Sequence, residues 1–408
     1  MPRIVLVTGK GGVGKTTTAA ATAVRAARSG LRTLVMSTDA AHSLGDALDV
    51  DLREARTWQD THEVEPGLHA LAVGAHTSVA ADWQVVRDYL LRVLDAMGVD
   101  AVVADELTSL PGAEEVTALA VLAHQAEQDR WDLVVVDCAP TAETLRLLAL
   151  PEVLGWHLDR LLPAQRKLLT VLRPAASAAT GVPAPGPEVV LVLRAWRDLM
   201  VEIRSLLTSP RASVRIVLTP ERVVIAESRR VLTSLSLHGY AVDAVVVNRL
   251  IPPVSEGDSD GWRSAWAAAQ ESGVAMVQES FHGIPLMRVP YLAGEPIGPD
   301  ALADLAEATL AAPGAVPADL VSDVDVPRMD VAAEGERFVL TLPLPLVSAG
   351  EVAVSRREDD LVLEVGGQRR VVTLPSVLRR CTVVDAAVGR GELRVRFERD
   401  EELWASGR

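Results

Sequence analysis

Short, continuous apolar runs recur at Ile4–Val7, Thr33–Met36, Leu133–Val136, Arg215–Leu218, Val242–Val247 and Leu286–Val289, with helix-patterned stretches between them. Strands that are apolar throughout, rather than alternating, are buried on both faces. Separated by helices, they predict a mostly parallel sheet and an α/β fold. Two further apolar sets follow i, i+3, i+4 spacing: Leu158, Leu161, Leu162, Leu168, Leu169 and Leu172, then Val189, Val192, Leu193, Trp196, Leu199, Met200, Ile203, Leu206 and Leu207. Each predicts a helix with one apolar face. Pro313, Gly314, Pro317 and Pro327 mark 313–327 as a linker. Beyond it the grammar changes to short β-patterned runs, Phe338–Leu342, Glu351–Val354, Leu361–Val365, Arg370–Leu374 and Leu393–Phe397, with Gly366-Gly367 as a tight hairpin turn. Residues 328–400 therefore predict a small all-β sandwich.

One loop carries the clearest chemistry. Gly9-Lys10-Gly11-Gly12-Val13-Gly14-Lys15-Thr16 fits G-x-x-x-x-G-K-[ST], follows a predicted strand and precedes the helix-forming run from Thr17 to Ala27. The glycines let backbone N–H groups converge on phosphate oxygens, and the helix N-terminus adds the positive end of its dipole. Lys15 is placed to reach the β- and γ-phosphates, and Thr16 to ligate Mg²⁺, with Thr17 completing the nucleotide-binding set. A second metal-facing residue is Asp137, the acid that ends the strand Leu133–Val136. Asp39 follows the second strand, where a carboxylate can orient a water toward a γ-phosphate; a helix cap is its plain alternative. Asn248 ends the run Val245–Val247 with an amide able to pair with a base edge, or to serve simply as a turn residue.

Composition narrows the partners. The net charge of -15 opposes nucleic-acid phosphates and anionic lipid, and the near-neutral stretch after Arg328 leaves almost all of it on the α/β part. Neither nucleic-acid binding nor stable membrane insertion is expected. Of 40 basic residues only Lys10, Lys15 and Lys167 are lysines, and two of them share the glycine loop, where a compact ammonium and a planar guanidinium are not interchangeable. Two cysteines, Cys138 and Cys381, make neither a disulfide framework nor a soft-metal site. The apolar run before Gly9 is too short for a secretion signal, so the expected location is cytoplasmic.

The form G-K-G-G-V-G-K-T resembles the deviant phosphate loop of the ArsA, MinD, ParA and nitrogenase-iron-protein class. The resemblance to the ArsA/GET-type ATPases extends over most of residues 1–312 through Asp39-Ala40-Ala41-His42-Ser43-Leu44-Gly45-Asp46, Asp137-Cys138-Ala139-Pro140-Thr141-Ala142-Glu143-Thr144-Leu145-Arg146, Val245–Leu250 and Arg288-Val289-Pro290-Tyr291-Leu292. It implies ATP and Mg²⁺ as cofactors and a homodimer in which Lys10 crosses to the nucleotide of the opposite subunit. It also implies Asp39 as the residue that activates water, with Asn248 and Pro290 at the adenine. The family's helical subdomain, about 151–210 here, holds a groove for hydrophobic protein segments. The two apolar stripes either line such a groove or pack into the protein's own core, and exposure separates these readings. The β region resembles the α-crystallin (small heat-shock) domain attached to some members.

The departures are Ala40 for a proline, and Cys138, Ala142 and Glu143 in the second switch. Losing the glycine at Ala142 stiffens that switch. The C-x-x-C zinc clasp of the eukaryotic tail-anchor factor is also absent, so dimerisation must use other contacts. The expected function is an ATP-hydrolysing dimeric chaperone or targeting ATPase. A MinD/ParA-like positioning ATPase, and an ATP-gated holdase with little turnover, are the alternatives.

Overall fold

The computed structural model describes residues 1–38, 43–52, 61–73, 78–96, 113–141, 143–152, 186–252, 261–310, 320–326, 328–335 and 337–401. Asp39, the first apolar stripe and most of 313–327 lie outside these residues. An eight-stranded sheet runs in the order β3-β4-β2-β5-β1-β6-β7-β8. Its strands are β1 (Arg3–Gly9), β2 (Thr33–Ser37), β3 (His62–Glu65), β4 (Leu68–Ala72), β5 (Leu133–Asp137), β6 (Ala212–Leu218), β7 (Val242–Leu250) and β8 (Leu286–Pro290). Every residue of β1, β2, β5 and β6 is buried, as continuous apolar runs require. Six strands stand where the apolar runs predict them. β3 and β4 escape the pattern: His-Glu-Val-Glu is a half-exposed antiparallel edge with a register shift, and His69 interrupts the apolar run of β4.

The chain divides into two compact units, one of Met1–Val5, Thr16–Leu207 and Pro296–Ala306, the other of Leu6–Lys15, Thr208–Glu295 and Glu307–Arg408. In the first, β2 lies parallel to both β4 and β5, with Ser37 opposite Asp137. The helices here are α1 (Lys15–Arg28), α2 (Ser43–Leu48), α3 (Ser78–Ala96), α4 (Ala113–Glu127) and α5 (Pro187–Leu207). Helix α5 carries the second apolar stripe. Val189, Trp196, Met200, Ile203, Leu206 and Leu207 are buried, and the helix packs against α3 and α4. These six residues belong to the protein's own core, while Val192, Leu193 and Leu199 of the stripe are half-buried. Among the described residues no helix is long and apolar enough to cross a membrane.

In the second unit β6, β7 and β8 are parallel neighbours accompanied by α6 (Arg222–His238) and α7 (Gly261–Ser280), while most of the last helix, α8 (Gly298–Leu310), belongs to the first unit. The C-terminal region forms two antiparallel sheets. One is ordered β14-β15-β10-β9 and the other β11-β12-β13, from β9 (Asp330–Glu334), β10 (Arg337–Pro343), β11 (Val352–Arg357), β12 (Asp360–Val365), β13 (Gln368–Thr373), β14 (Cys381–Gly389) and β15 (Glu392–Arg399). Leu340, Leu342, Leu393, Val395 and Phe397 from the first sheet share a buried cluster with Leu361, Leu363, Val365 and Val372 from the second, which makes a sandwich. Val365 pairs with Gln368 around Gly366 and Gly367, whose φ values of 55° and 83° suit a two-residue hairpin turn. Neither β9 nor β14 presents enough inward apolar residues to stand out from the sequence.

The sandwich core includes a residue of the α/β part, Leu237 of α6, which is fully buried in the same cluster. Thr233 Oγ1 donates to the Pro345 carbonyl at 3.1 Å, and the buried Arg370 guanidinium donates to the Leu237 carbonyl in the last turn of α6. A cation at that end of a helix complements the dipole. Replacing Arg370 by alanine leaves a buried carbonyl short of a charged donor and is expected to lower unfolding stability by about 2 kcal/mol. The exposed neighbour Arg369→Ala should stay within about 0.5 kcal/mol of wild type, both read by urea denaturation.

Candidate nucleotide-binding site

The glycine loop leaves β1 under close steric control. A Cβ on Gly9 would lie 2.1 Å from the Val217 carbonyl oxygen of β6, so only glycine lets the two backbones approach. Gly14 has φ +95°, and a Cβ there would lie 2.3 Å from Nδ2 of Asn248. Among the described residues nothing lies within 4 Å of a Cβ added at Gly11 or Gly12, so of these residues the loop has protein on one side only. That is the shape a phosphate cradle needs. Val13 is buried and anchors the loop.

Both loop lysines have partners within the chain. Lys15, 8% exposed, begins α1 and donates from Nζ to the Lys10 carbonyl at 3.4 Å. Lys10 Nζ lies 3.6 Å from Glu227 Oε2 of α6, the two side chains 41% and 28% exposed.

Asn248, near the end of β7, holds the loop: Nδ2 donates to the Val13 carbonyl at 2.8 Å, and Oδ1 accepts the Arg249 N–H at 2.8 Å. Arg249 has φ 58°, and its carbonyl is bonded by Gln270 Nε2 at 2.9 Å, while Gln270 Oε1 accepts the Ile251 N–H at 2.7 Å. Pro290 ends β8 opposite Leu250, and the Tyr291 N–H donates to the Leu250 carbonyl at 2.7 Å. Strand pairing thus brings the two expected base-side residues to neighbouring strand ends. Gln270 had no signal in the sequence, being one polar residue within a helix.

At the other end of the loop, Thr16 and Thr17 lie in the first turn of α1. Thr16 Oγ1 donates to Asp137 Oδ2 at 2.9 Å. Asp137 is fully buried, and Ser37 Oγ lies 3.5 Å from the same oxygen. The Thr38 N–H donates to the Asp137 carbonyl at 3.0 Å, and Thr38 Oγ1 accepts the Ala139 N–H at 3.2 Å. A hydroxyl beside a buried carboxylate is an oxygen-only donor pair, which suits a hard cation that keeps most of its coordination for water and phosphate. Among the described residues no three His, Cys, Asp or Glu side chains gather as a complete metal site of their own. Cys138 and Cys381 are buried, their thiols donating to the Val136 and Val377 carbonyls. Ser37 and Thr38 were not picked out in the sequence. The sequence held no signal for them; the parallel register, which sets Ser37 level with Asp137, brings them to the site.

Comparison with known proteins shows the family. The model of the anion-transporting ATPase (ArsA) family matches residues 2–311, and that of an HSP20-like domain found in ArsA matches residues 335–397. Protein Rv2184c of Mycobacterium tuberculosis is 38% identical over 98% of this chain and 97% of its own length. A protein of Prosthecochloris vibrioformis, provisionally named arsenical pump-driving ATPase, is 32% identical over 98% of this chain and 97% of its length. ATPase GET3B of Arabidopsis thaliana is 33% identical over 60% of this chain and 64% of its length. With the two-lysine glycine loop at its centre, this chain belongs to the ArsA family of anion-transporting ATPases, with an HSP20-like domain at its C-terminal side.

Proposed function

We propose that the protein is a cytoplasmic, homodimeric ATPase that couples its nucleotide cycle to the handling of hydrophobic protein segments. The observation that carries the ATPase part is the pairing of the Thr16 hydroxyl with the buried Asp137 carboxylate at the foot of a glycine loop whose shape tolerates no side chain at Gly9 or Gly14. Bound ATP supplies the scissile phosphoanhydride, and its Mg²⁺ neutralises phosphate charge. Residues 9–16 cradle the phosphates with backbone N–H groups, with Thr17 following in the same helical turn. Lys15 gives up the Lys10 carbonyl for the β/γ oxygens. Thr16 and Asp137 hold the metal side, Asp39 orients water, Asn248 and Pro290 border the base, and Lys10 reaches the nucleotide of the opposite subunit.

The handling of hydrophobic segments rests on the likeness to ATPase GET3B and on the HSP20-like match, and not on the α5 stripe, which is core. In this reading the domains are 1–312, with a helical subdomain over about 151–210, a linker at 313–327 and the sandwich at 328–400. The acidic balance of -15 disfavours a positioning ATPase that cycles on DNA or anionic membrane. The test is phosphate release and oligomeric mass for wild type, Lys10→Ala and Asp39→Asn. Dimers in which each substitution removes turnover are the expected result. A monomer that hydrolyses ATP equally well without Lys10 rules the dimeric mechanism out, and client capture that survives Asp39→Asn identifies an ATP-gated holdase.

A further inference from the structure

The ammonium of Lys10 has a specific acidic neighbour in its own chain. Two anchors bring the groups together. Gly9 is pressed against the Val217 carbonyl of β6, so the residue after it leaves the sheet beside the connection from β6 to α6. Helix α6 is held at both ends: Gly273 of α7 approaches Pro220, just before the helix, so closely that a Cβ on the glycine would lie 2.2 Å from the proline carbonyl oxygen, and Thr233 and Leu237 are tied to the sandwich. Glu227 therefore faces the loop from a helix held at both ends, 3.6 Å from Lys10 Nζ.

We propose that Glu227 is a positioning residue for Lys10, holding the ammonium within its own subunit until a nucleotide in a second copy displaces the carboxylate. The proposal rests on the dimeric reading above. Lys10 Nζ carries three N–H donors but a single positive charge, so a phosphate across an interface competes with Glu227 for it. Serving a phosphate across an interface means leaving Glu227, and a triphosphate carries more charge than one carboxylate, so the exchange runs forward only when nucleotide and partner are both present. The pair is partly exposed, which limits its strength: such pairs bias an equilibrium by up to about fivefold. Glu227 is accordingly a bias against premature dimerisation and not a lock.

The scarcity of lysine makes this directly measurable, since the chain contains only Lys10, Lys15 and Lys167. Reductive ¹³C-methylation retains the charge and gives a spectrum with three lysine positions, in which Lys10 is assigned by its loss in Lys10→Arg. In the nucleotide-free protein, Glu227→Gln should move the Lys10 signal and leave Lys167 in place. In unmodified protein the same substitution should lower the protein concentration for half-maximal ATPase by about two- to fivefold, and Glu227→Asp should fall between it and wild type. An unchanged half-maximal concentration in Glu227→Gln, alongside an inactive Lys10→Ala, overturns the positioning role and leaves the dimeric ATPase standing. Wild-type turnover in Lys10→Ala overturns the dimeric reading instead, and the Lys10 signal then decides the ion pair alone.

Discussion

Gly14→Ala is expected to weaken nucleotide binding by about two orders of magnitude while leaving the protein folded. The residue sits at φ +95°, and a side chain there would stand 2.3 Å from Asn248 Nδ2. The left-handed conformation costs a non-glycine residue about 1–2 kcal/mol. Relieving the collision requires the Asn248 amide to leave the Val13 carbonyl, which forfeits a hydrogen bond worth about 1 kcal/mol. Together these amount to about 2–3 kcal/mol, close to a hundredfold in affinity, concentrated in the loop that must meet the phosphates. Equilibrium titration with a fluorescent ATP analogue reads the change, with Gly294→Ala, where nothing lies within 4 Å of the new Cβ, as control. Binding within twofold of wild type would show that the loop rearranges freely and that its geometry does not govern affinity.

The second large effect is expected at Asp137. Asparagine has the same shape and keeps one acceptor for the Thr16 hydroxyl, now 2.9 Å from the carboxylate, so the fully buried end of β5 should remain packed. What it removes is the negative charge that, on the proposed reading, would hold a divalent cation against the phosphates. Metal stabilisation of the transferred phosphoryl group is worth several kcal/mol, so turnover should fall by roughly a hundredfold or more, with a higher Mg²⁺ requirement. Thr16→Ala removes a neutral ligand and should cost less, roughly tenfold. Phosphate release measured across a Mg²⁺ titration tests both. Hydrolysis within threefold of wild type at an unchanged Mg²⁺ requirement would remove Asp137 from the metal site.

Features governed by local stereochemistry were legible in the sequence. The phosphate loop could be read because its requirements fall on consecutive residues: glycine where backbone must come close or turn left-handed, lysine and threonine at the start of a helix. Buried parallel strands could be read because sheet interiors admit long apolar runs, and Gly366-Gly367 because a two-residue hairpin turn needs positive φ at both positions. Edge strands β3, β9 and β14, half to mostly exposed, were not legible because an edge with little buried surface imposes no continuous apolar pattern.

The apolar stripe of α5 shows the limit from the other side. Its periodicity is the same whether it faces a client or a core, and only packing against α3 and α4 assigns it to the core. The ion pair of Lys10 with Glu227, the hold of Asn248 on Val13, the two bonds from Gln270 and the place of Leu237 in the sandwich each join residues far apart in the chain. Residue identity by itself determined the α/β class, the phosphate loop and the β region that follows. The register of neighbouring strands and the seating of α6 decided which side chains meet, because such meetings depend on distances between elements that no stretch of sequence encodes alone.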